Sequence, residues 1–211
     1  MKLVGQMALC KFPLWERCLQ SLAKKVDELY LRFDGLNGDV DIYNNIGKVC
    51  GNKLRKIYVS YNKWNAWSWR EEMIRMLDNV RPEMVLSHDE DEAVENIAAD
   101  LKRFSRSHLN QMAFEYKFPM PSEDGLPIPS PISGLPIDKP FPSHPHVMVI
   151  KWRPGLTFHP YMSRNRVTQY GKNYLFGKAK ILHYCYYTEE LREIKAETAS
   201  HKGKLRFARN E

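Results

Sequence analysis

The first half of the chain alternates short apolar runs typical of strands with longer stretches of helical periodicity. Four strand candidates occupy residues 3–9, 28–33, 56–61 and 83–87. Amphipathic stretches with apolar residues three and four positions apart follow three of them, at residues 14–25, 68–80 and 94–104. This alternation predicts an α/β fold in which a mainly parallel sheet is flanked by helices. In sheets of this kind, ligands bind at the carboxyl ends of the strands.

Size and composition further limit the class of protein to which this chain can belong. The 211 residues suit one domain with a substantial core. No apolar run reaches the length of a bilayer span, and the N-terminus lacks the layout of a signal peptide. The four cysteines are scattered without Cys-x-x-Cys spacing, which favours reduced thiols over a disulfide or zinc framework. We therefore expect a cytoplasmic protein without a transmembrane segment.

The fourth strand candidate ends abruptly in four consecutive acidic residues, Asp89 to Glu92. Carboxylates this close repel one another, and a bound cation relieves the repulsion. Mg²⁺ and Mn²⁺ favour oxygen ligands and keep positions open for substrate phosphates. Asp89 and Asp91 are therefore candidate ligands of a metal–diphosphate. A second interpretation stays open, because Ser87 and Glu90 have the spacing of a capping box and the cluster would then only begin the next helix.

A further acidic position is expected at the same edge of the sheet. The strand candidate at residues 28–33 runs into Asp34 and Gly35. Because the carboxyl ends of parallel strands share one edge, Asp34 should lie on the same side as Asp89 and Asp91. The pattern thus predicts one site to which several strand ends contribute.

Beyond residue 107 the character of the sequence changes. Strand candidates at 110–118 and 147–152 flank a Pro-rich loop at 119–146, which holds nine of the thirteen prolines. Such a segment cannot be a helix or a central strand, and a loop of this length is typically functional or disordered. It contains the acidic pair Glu123 and Asp124, which fits an ordinary exposed turn equally well.

The remaining elements complete the expected domain. A strand is predicted at residues 174–187, ending near His183, and a closing helix at 188–198 with Thr188 as its N-cap. We therefore expect a single domain at residues 1–199, followed by a basic tail at 200–211.

Four segments carry a resemblance to a known enzyme family. They are Cys18-Leu19-Gln20-Ser21-Leu22, Phe33-Asp34-Gly35-Leu36-Asn37-Gly38-Asp39, His88-Asp89-Glu90-Asp91-Glu92 and Ile181-Leu182-His183-Tyr184. In this order they resemble the nucleotide-sugar-dependent glycosyltransferases of the GT-A fold, particularly the inverting family 2. The resemblance covers roughly residues 3–107 and returns at 181–187. It implies a GT-A-like (Rossmann-related) domain that moves a sugar to an acceptor hydroxyl from a nucleotide-sugar donor, with a UDP-sugar as the first expectation.

The resemblance also implies roles for individual residues. Asp34 would contact the base or ribose of the donor nucleotide. Asp89 and Asp91 would hold a divalent cation against the donor diphosphate, and His183 would complete the coordination. A lone histidine beside tyrosines is, however, more often a structural residue than a metal ligand. Imidazole together with carboxylate favours Mn²⁺ somewhat over Mg²⁺.

The family places its catalytic base in an acidic pair downstream of the metal motif. Asp124 is the expected base here and Glu123 the alternative. Two departures from the family pattern fall where the nucleotide would bind: the first strand lacks a Thr-x-x-Asn ending, and residues 62–67 replace an Asn-x-Gly-rich segment. Lys63 or Arg70 would compensate by contacting phosphate.

The C-terminal third carries the excess positive charge. Residues 151–211 hold 13 Lys or Arg against 5 Glu, a net charge of +8 in a chain of net charge +7. Because aromatic residues are interleaved with these cations, the acceptor is expected to be nucleic acid, for example a hydroxylated base in DNA. A cell-envelope or lipid-linked saccharide fits as well, and core aromatic residues would give the same pattern.

Two other classes of function stay open. A metal-dependent nuclease would need a strand carrying Asp/Glu-x-Lys beside the metal pair, and none is evident. A non-catalytic nucleotide- or nucleic-acid-binding module with a degenerate transferase fold is compatible with the departures from the family pattern.

Overall fold

The structure is a computed structural model that describes residues 2–61, 66–117, 146–158, 167–171 and 173–184, without the side chains of residues 66–69 and 117. The described residues form one sheet with flanking helices. The strands are β1 Leu3–Leu9, β2 Glu28–Asp34, β3 Leu54–Ser60, β4 Met84–His88, β5 Glu92–Val94, β6 Gln111–Lys117, β7 His146–Lys151 and β8 Leu175–His183. The α-helices are α1 Trp15–Ala23, α2 Val40–Cys50, α3 Ala66–Arg75 and α4 Ala98–Ser105.

The strand order across the sheet is β3-β2-β1-β4-β7-β6-β8-β5. β1 pairs in parallel with β2 and β4, and β2 pairs in parallel with β3. This run is one half of a doubly wound sheet. Beyond β4 the sheet is mixed, since β7 is antiparallel to β4 and β6, β5 is antiparallel to β8, and β8 is parallel to β6. The predicted class, an α/β Rossmann-related sheet flanked by helices, is confirmed.

Helices cover both faces of the sheet. All seven residues of β1 are buried. Leu3 and Met7 join a core cluster with residues of α1, α2 and α4, whereas Val4 joins a second cluster with Ile74 and Leu77 on the α3 side. Burial on both faces explains why the central strands have nearly continuous apolar sequences.

Apart from β5, the strands agree closely with the sequence prediction, but three helices differ. α2 was not predicted, although Asp39 caps it by accepting a hydrogen bond from the backbone N–H of Asp41 at 2.8 Å. Ile42, Ile46 and Cys50 are the residues that this helix buries. The helix expected from residue 68 begins at Ala66.

The acidic cluster does not begin a helix. Residues 89–91, hereafter the acidic turn, connect β4 to the short strand β5. Val94 pairs with Ile181 of β8, so the helix predicted from residue 94 begins only at Ala98. The capping interpretation of Ser87 and Glu90 is therefore wrong. A three-residue strand whose partner lies far along the chain leaves no periodicity in the local sequence.

Several predicted segments lie outside the described residues. These are Phe118 of the strand predicted at 110–118, residues 119–145 of the Pro-rich loop, the closing helix at 188–198 and the tail at 200–211, so the domain limits stay predictions. On either side of this gap, Lys117 ends β6, and His146, predicted as the last residue of the Pro-rich loop, begins β7. Among the described residues, no helix combines the length and the apolar character that crossing a membrane requires.

Candidate metal centre at the carboxyl edge of the sheet

Strand directions bring the acidic turn and the end of β8 to the same edge of the sheet. β1, β2 and β4 run parallel, so Asp34 at the end of β2 and the acidic turn after β4 share that edge. β8 runs in the same direction as β4, because β7 is antiparallel to β4 and to β6, and β6 is parallel to β8. His183 is the last residue of β8, which places it beside the acidic turn.

Asp91, Glu92 and His183 form a compact group. β5 pairs with β8 so that Glu92 is directly opposite His183. Asp91 Oδ2 lies 2.9 Å from His183 Nε2, and one ligand atom from each of the three residues lies within 4.8 Å of the others. The side chains of Asp91 and His183 are 13% and 9% exposed, and Glu92 is 2% exposed.

The chemistry and spacing of this group fit a divalent cation. Two adjacent ligands about 2.1 Å from an octahedral ion are about 3.0 Å apart. The hydrogen bond between Asp91 and His183 holds Oδ2 and Nε2 2.9 Å apart, close to the separation that two adjacent ligands of a cation would have. Carboxylate oxygens suit Mg²⁺ and Mn²⁺, and the imidazole favours Mn²⁺. Three protein ligands leave positions for substrate oxygens or water.

Glu92 is the most buried member of the group. Burial raises the pKa of its carboxyl above the ordinary value of 4.5, the carboxylate of Asp89 raises it further, and His183 opposes the rise. Both of its oxygens accept hydrogen bonds, Oε1 from the hydroxyl of Tyr116 at 2.5 Å and Oε2 from the backbone N–H of Asp89 at 3.0 Å. A cation bound here would favour the ionised form of Glu92.

Aromatic rings enclose the group on the side of β6 and β7. The ring of Tyr116 lies 4.7 Å from that of His183 and 4.1 Å from that of His146. Sequence reasoning missed Glu92, Tyr116 and His146. For Glu92 a signal existed, since it belongs to the acidic run and precedes two apolar residues. Tyr116 and His146 belong to no motif, and only the pairing of β6 with β7 reveals their proximity.

Asp89, predicted as a metal ligand, is not one of the three converging residues. Its Oδ1 lies 3.5 Å from Arg70 Nη2 of α3. The two residues adjoin a cleft that is also lined by Gln6, Met73 and Phe158. The structure therefore brings Asp89 and Arg70 together as a polar pair beside the metal group. Lys63, the other predicted phosphate contact, lies outside the described residues.

Asp34 is buried and holds the turn that follows β2 (residues 34–39, hereafter the Asp34 turn). Its Oδ1 accepts hydrogen bonds from the backbone N–H groups of Leu36 at 2.9 Å and Asn37 at 3.2 Å, as in an Asx turn. A Cβ on Gly35 would lie 2.7 Å from the ring of Tyr61. Tyr61, which follows β3, is 70% exposed, so an accessible aromatic ring lies beside the Asp34 turn.

Glu90 lies between the metal ligands and the β1–α1 loop (residues 10–14). Its Oε2 accepts hydrogen bonds from the backbone N–H of Cys10 at 2.7 Å and of Phe12 at 3.4 Å. Burial raises the pKa of Glu90 to about 7, and these hydrogen bonds oppose the rise. The side chain therefore connects the acidic turn to the end of β1.

His88, the last residue of β4, is a buried neutral imidazole. Burial lowers its pKa to about 3, and the positive charge of Lys25 lowers it further. Among the described residues, neither ring nitrogen makes a hydrogen bond, although the nearby backbone of Glu92 slightly favours the charged form.

The predicted base and acceptor surface are described only in part. Glu123 and Asp124 lie outside the described residues. In the basic C-terminal third, Phe158 belongs to the second core cluster, and three more aromatic residues pack against it: Trp152, Tyr170 and Tyr174. Phe176, in contrast, is 42% exposed. Most of the aromatic residues described in the C-terminal third therefore pack in the hydrophobic core, which was one of the interpretations of the sequence pattern.

No family model matches the chain, and no curated protein matches it. Similar solved structures include TarS 1–349 of S. aureus in complex with UDP-GlcNAc, with a TM-score of 0.46 and 19% identity over 63% of this chain and 38% of that one. HddC from Yersinia pseudotuberculosis has a TM-score of 0.48 and 11% identity over 94% of this chain and 99% of that one. A putative glucose-1-phosphate thymidylyltransferase from Bacillus anthracis, in complex with a sucrose, has a TM-score of 0.43 and 8% identity over 58% of this chain and 56% of that one.

These similarities do not assign a family to the chain. All three TM-scores lie below 0.5, and the chain spans 38% of the TarS 1–349 chain. Membership of the GT-A family 2 glycosyltransferases therefore stays a prediction from the sequence motifs.

Proposed function

We propose that this protein is a metal-dependent inverting glycosyltransferase that moves a sugar from a nucleotide-sugar donor to a hydroxyl acceptor. One observation carries the proposal. Asp91, Glu92 and His183 converge within 4.8 Å at the carboxyl edge of an α/β sheet, where such folds bind nucleotides. Asp34 ends β2 at the same edge, as the sequence resemblance to these enzymes leads one to expect.

In this proposal Asp91, Glu92 and His183 hold Mn²⁺ or Mg²⁺. When bound, the cation neutralises the negative charge that develops on the leaving diphosphate. Asp89 and Arg70 lie beside that position. Arg70 would contact a phosphate oxygen, while Asp89 would receive a ligand hydroxyl or act as an outer partner of the cation.

The Asp34 turn would bind the nucleoside of the donor, with a UDP-sugar as the first candidate. The carboxylate of Asp34 accepts two backbone hydrogen bonds, so its role would be to shape the turn as well as to meet the base or ribose. Tyr61, exposed beside Gly35, offers a face on which a base can stack.

Inverting transfer also needs a general base. The acceptor oxygen forms a bond to the anomeric carbon, the bond from that carbon to the diphosphate oxygen breaks with its electron pair leaving on the diphosphate, and the acceptor proton passes to a carboxylate. Asp124 is the proposed base, with Glu123 as the alternative. The described residues that flank their segment, Lys117 and His146, lie at the edge that carries the metal group.

The deciding experiment measures hydrolysis of a panel of nucleotide sugars in Mn²⁺ without an acceptor. Release of nucleoside diphosphate from one donor, abolished by EDTA, is the expected result and names the donor. Binding of a nucleotide sugar without turnover would instead identify a non-catalytic module. Cleavage of DNA or RNA in Mn²⁺, with no donor turned over, would identify a nuclease.

The acceptor is tested separately. Nucleic acid is proposed because residues 151–211 carry a net charge of +8, and Arg153 and Phe176 are exposed cationic and aromatic residues of that region. Affinity for duplex DNA should then fall steeply between low and moderate salt. If the protein does not bind DNA, or binds it with an affinity that does not depend on salt, nucleic acid is excluded as the acceptor. A cell-envelope or lipid-linked saccharide is then the acceptor to test.

A further inference from the structure

Glu90 occupies a position where α/β folds commonly bind a ligand anion. The backbone N–H groups at the turn from a first strand into its helix form a concavity that favours negative charge. Here Oε2 of Glu90 accepts from Cys10 at 2.7 Å and from Phe12 at 3.4 Å. A carboxylate from 78 to 80 residues further along the chain thus fills this place.

The β1–α1 loop contacts the Asp34 turn on its other side. Cys10 Sγ lies 3.9 Å from Asp34 Oδ2 and 3.5 Å from the carbonyl oxygen of Asn37. The backbone N–H of Asp39, the N-cap of α2, donates to the carbonyl oxygen of Cys10 at 2.8 Å. Cys10 is therefore bonded to Glu90 through its N–H and to the Asp34 turn through its carbonyl group and thiol.

These contacts form one continuous connection between two parts of the candidate site. At one end Glu90 is covalently joined to Asp91 of the metal group. At the other end Asp34 and Tyr61 form the surface proposed for the nucleoside. Among the described residues, the β1–α1 loop and its two sets of hydrogen bonds connect the two ends.

We infer that Glu90 is a positioning residue that couples cation binding at Asp91, Glu92 and His183 to nucleoside binding at the Asp34 turn. The inference rests on the proposed function and extends it. Ordering of the acidic turn by a cation would fix the Glu90 carboxylate, which fixes the β1–α1 loop and, through Cys10, the Asp34 turn. Because such coupling is reciprocal, nucleoside would tighten cation binding by the same factor.

The experiment uses nucleosides rather than nucleotides, because a nucleoside has no phosphate with which to touch the cation directly. Mn²⁺ affinity is measured from the electron paramagnetic resonance signal of free Mn²⁺, without nucleoside and with saturating uridine, cytidine, thymidine, adenosine or guanosine. The ratio of the two dissociation constants is the coupling factor. In the wild type we expect a factor of about five or more for the nucleoside that binds.

Three variants separate hydrogen bonding from charge. Glu90→Gln loses the charge but keeps an oxygen within reach of the Cys10 N–H, so the coupling factor should persist. Glu90→Asp keeps the charge but shortens the side chain by one methylene, and Glu90→Ala removes both, so the factor should fall to about one. Glu95→Ala, at an exposed acidic residue just after β5, also removes one carboxyl group and should leave the factor unchanged. Circular dichroism verifies that each variant is folded. If Glu90→Ala does not fold, the coupling factor of Glu90→Asp is compared with that of the wild type instead.

The outcomes distinguish this inference from the proposed function. Coupling lost in Glu90→Gln but kept in Glu90→Asp would mean that charge alone acts, and it would overturn the inference. A wild type that binds Mn²⁺ and nucleoside independently, or binds Mn²⁺ but no nucleoside, also overturns it while leaving metal-dependent chemistry intact. If the wild type binds neither Mn²⁺ nor any nucleotide sugar, the proposed function is wrong, and so is the inference that rests on it.

Discussion

Tyr116 of β6 donates its hydroxyl hydrogen to Oε1 of Glu92 of β5 over 2.5 Å, although β8 lies between these two strands in the sheet. The same ring lies 4.7 Å from that of His183. One tyrosine therefore fixes the orientation of one proposed ligand and packs against another. Outer partners of this kind hold metal ligands in the geometry that the ion requires.

Replacing Tyr116 with phenylalanine should weaken Mn²⁺ binding by about 10-fold or more, because outer-partner substitutions typically cost 10- to 100-fold. Titration calorimetry gives the affinity. Tyr30→Phe is a matched control, since the hydroxyl of Tyr30 also donates to a glutamate, Oε2 of Glu28 at 3.3 Å, in the middle of β2. Equal Mn²⁺ affinity in Tyr116→Phe and the wild type would show that Tyr116 does not support the metal group.

Replacing Asp91 with alanine should abolish nucleotide-sugar turnover and leave the fold intact. Asp91 offers Oδ2 to the ligand group, and loss of a direct ligand should lower activity by at least about 100-fold, the upper range for an outer partner. Activity, Mn²⁺ affinity and circular dichroism are measured together, with Asp78→Ala, at an exposed acidic residue after α3, as the control. Substantial turnover in Asp91→Ala, or in wild type with excess EDTA, contradicts the metal role.

The base assignment is tested by Asp124→Asn and Glu123→Gln, each assayed alone. A positioned base contributes about two orders of magnitude or more to the rate, so one variant should lose that much kcat and keep its Mn²⁺ affinity. The unaffected variant of the pair serves as the control for the other. If both retain wild-type kcat, the base lies elsewhere in the chain.

The sequence predicted the central sheet well because local and tertiary requirements coincide there. β1 and β4 are buried on both faces, so each appears as a short apolar run. Asp34 and the acidic turn follow directly from the ends of β2 and β4. Predicting these parts of the site required only the positions of the strands and the rule that the carboxyl ends of parallel strands lie at one edge of the sheet.

The metal group itself depends on a contact that local sequence does not encode. β5 has three residues and exists because it pairs with β8, so Glu92 looked like one more acid at the start of a helix. The pairing places Glu92 opposite His183 and leaves Asp89 beside Arg70. The motif resemblance supplied Asp91 and His183, whereas Glu92 and Tyr116 needed the register of β5, β6 and β8.

Cation binding should compete with protons at Glu92. Burial and then the Asp89 carboxylate raise the pKa of this carboxyl above 4.5, so the folded protein without metal binds more protons than the unfolded chain between that value and neutrality. The contribution of Glu92 to the stability of the metal-free protein therefore falls as pH rises through that window. Mn²⁺ should reverse the trend, because it binds the ionised form.

The corresponding measurement is the shift of thermal midpoint on adding saturating Mn²⁺, at several values of pH from 5.5 to 8. The shift should grow with pH, and calorimetry in two buffers should show proton release on Mn²⁺ binding below neutrality. NaCl at the same ionic strength controls for screening. A shift that stays constant over this range would contradict competition at Glu92.

His88 should account for part of the loss of stability in acid. Its pKa is lowered to about 3 by burial and by Lys25, below the value of about 6.5 in an unfolded chain. Because the pKa of His88 is lower in the folded state, the unfolded state takes up a proton first as pH falls. The contribution of neutral His88 to stability is therefore fully present above pH 6.5 and is lost as pH falls towards 3. The slope for one proton is about 1.4 kcal/mol per pH unit.

His88→Leu isolates this effect. Leucine does not titrate, and among the described residues neither ring nitrogen of His88 makes a hydrogen bond that the substitution would break. Urea unfolding in EDTA at pH 7, 6 and 5 gives the free energy of unfolding of both proteins, and subtraction cancels the shared contributions of Glu90 and Glu92. The difference, wild type minus His88→Leu, should decrease on acidification by about 1.4 kcal/mol per unit below pH 6.5. Parallel pH profiles for the two proteins would mean that His88 is protonated to the same extent in the folded and unfolded states.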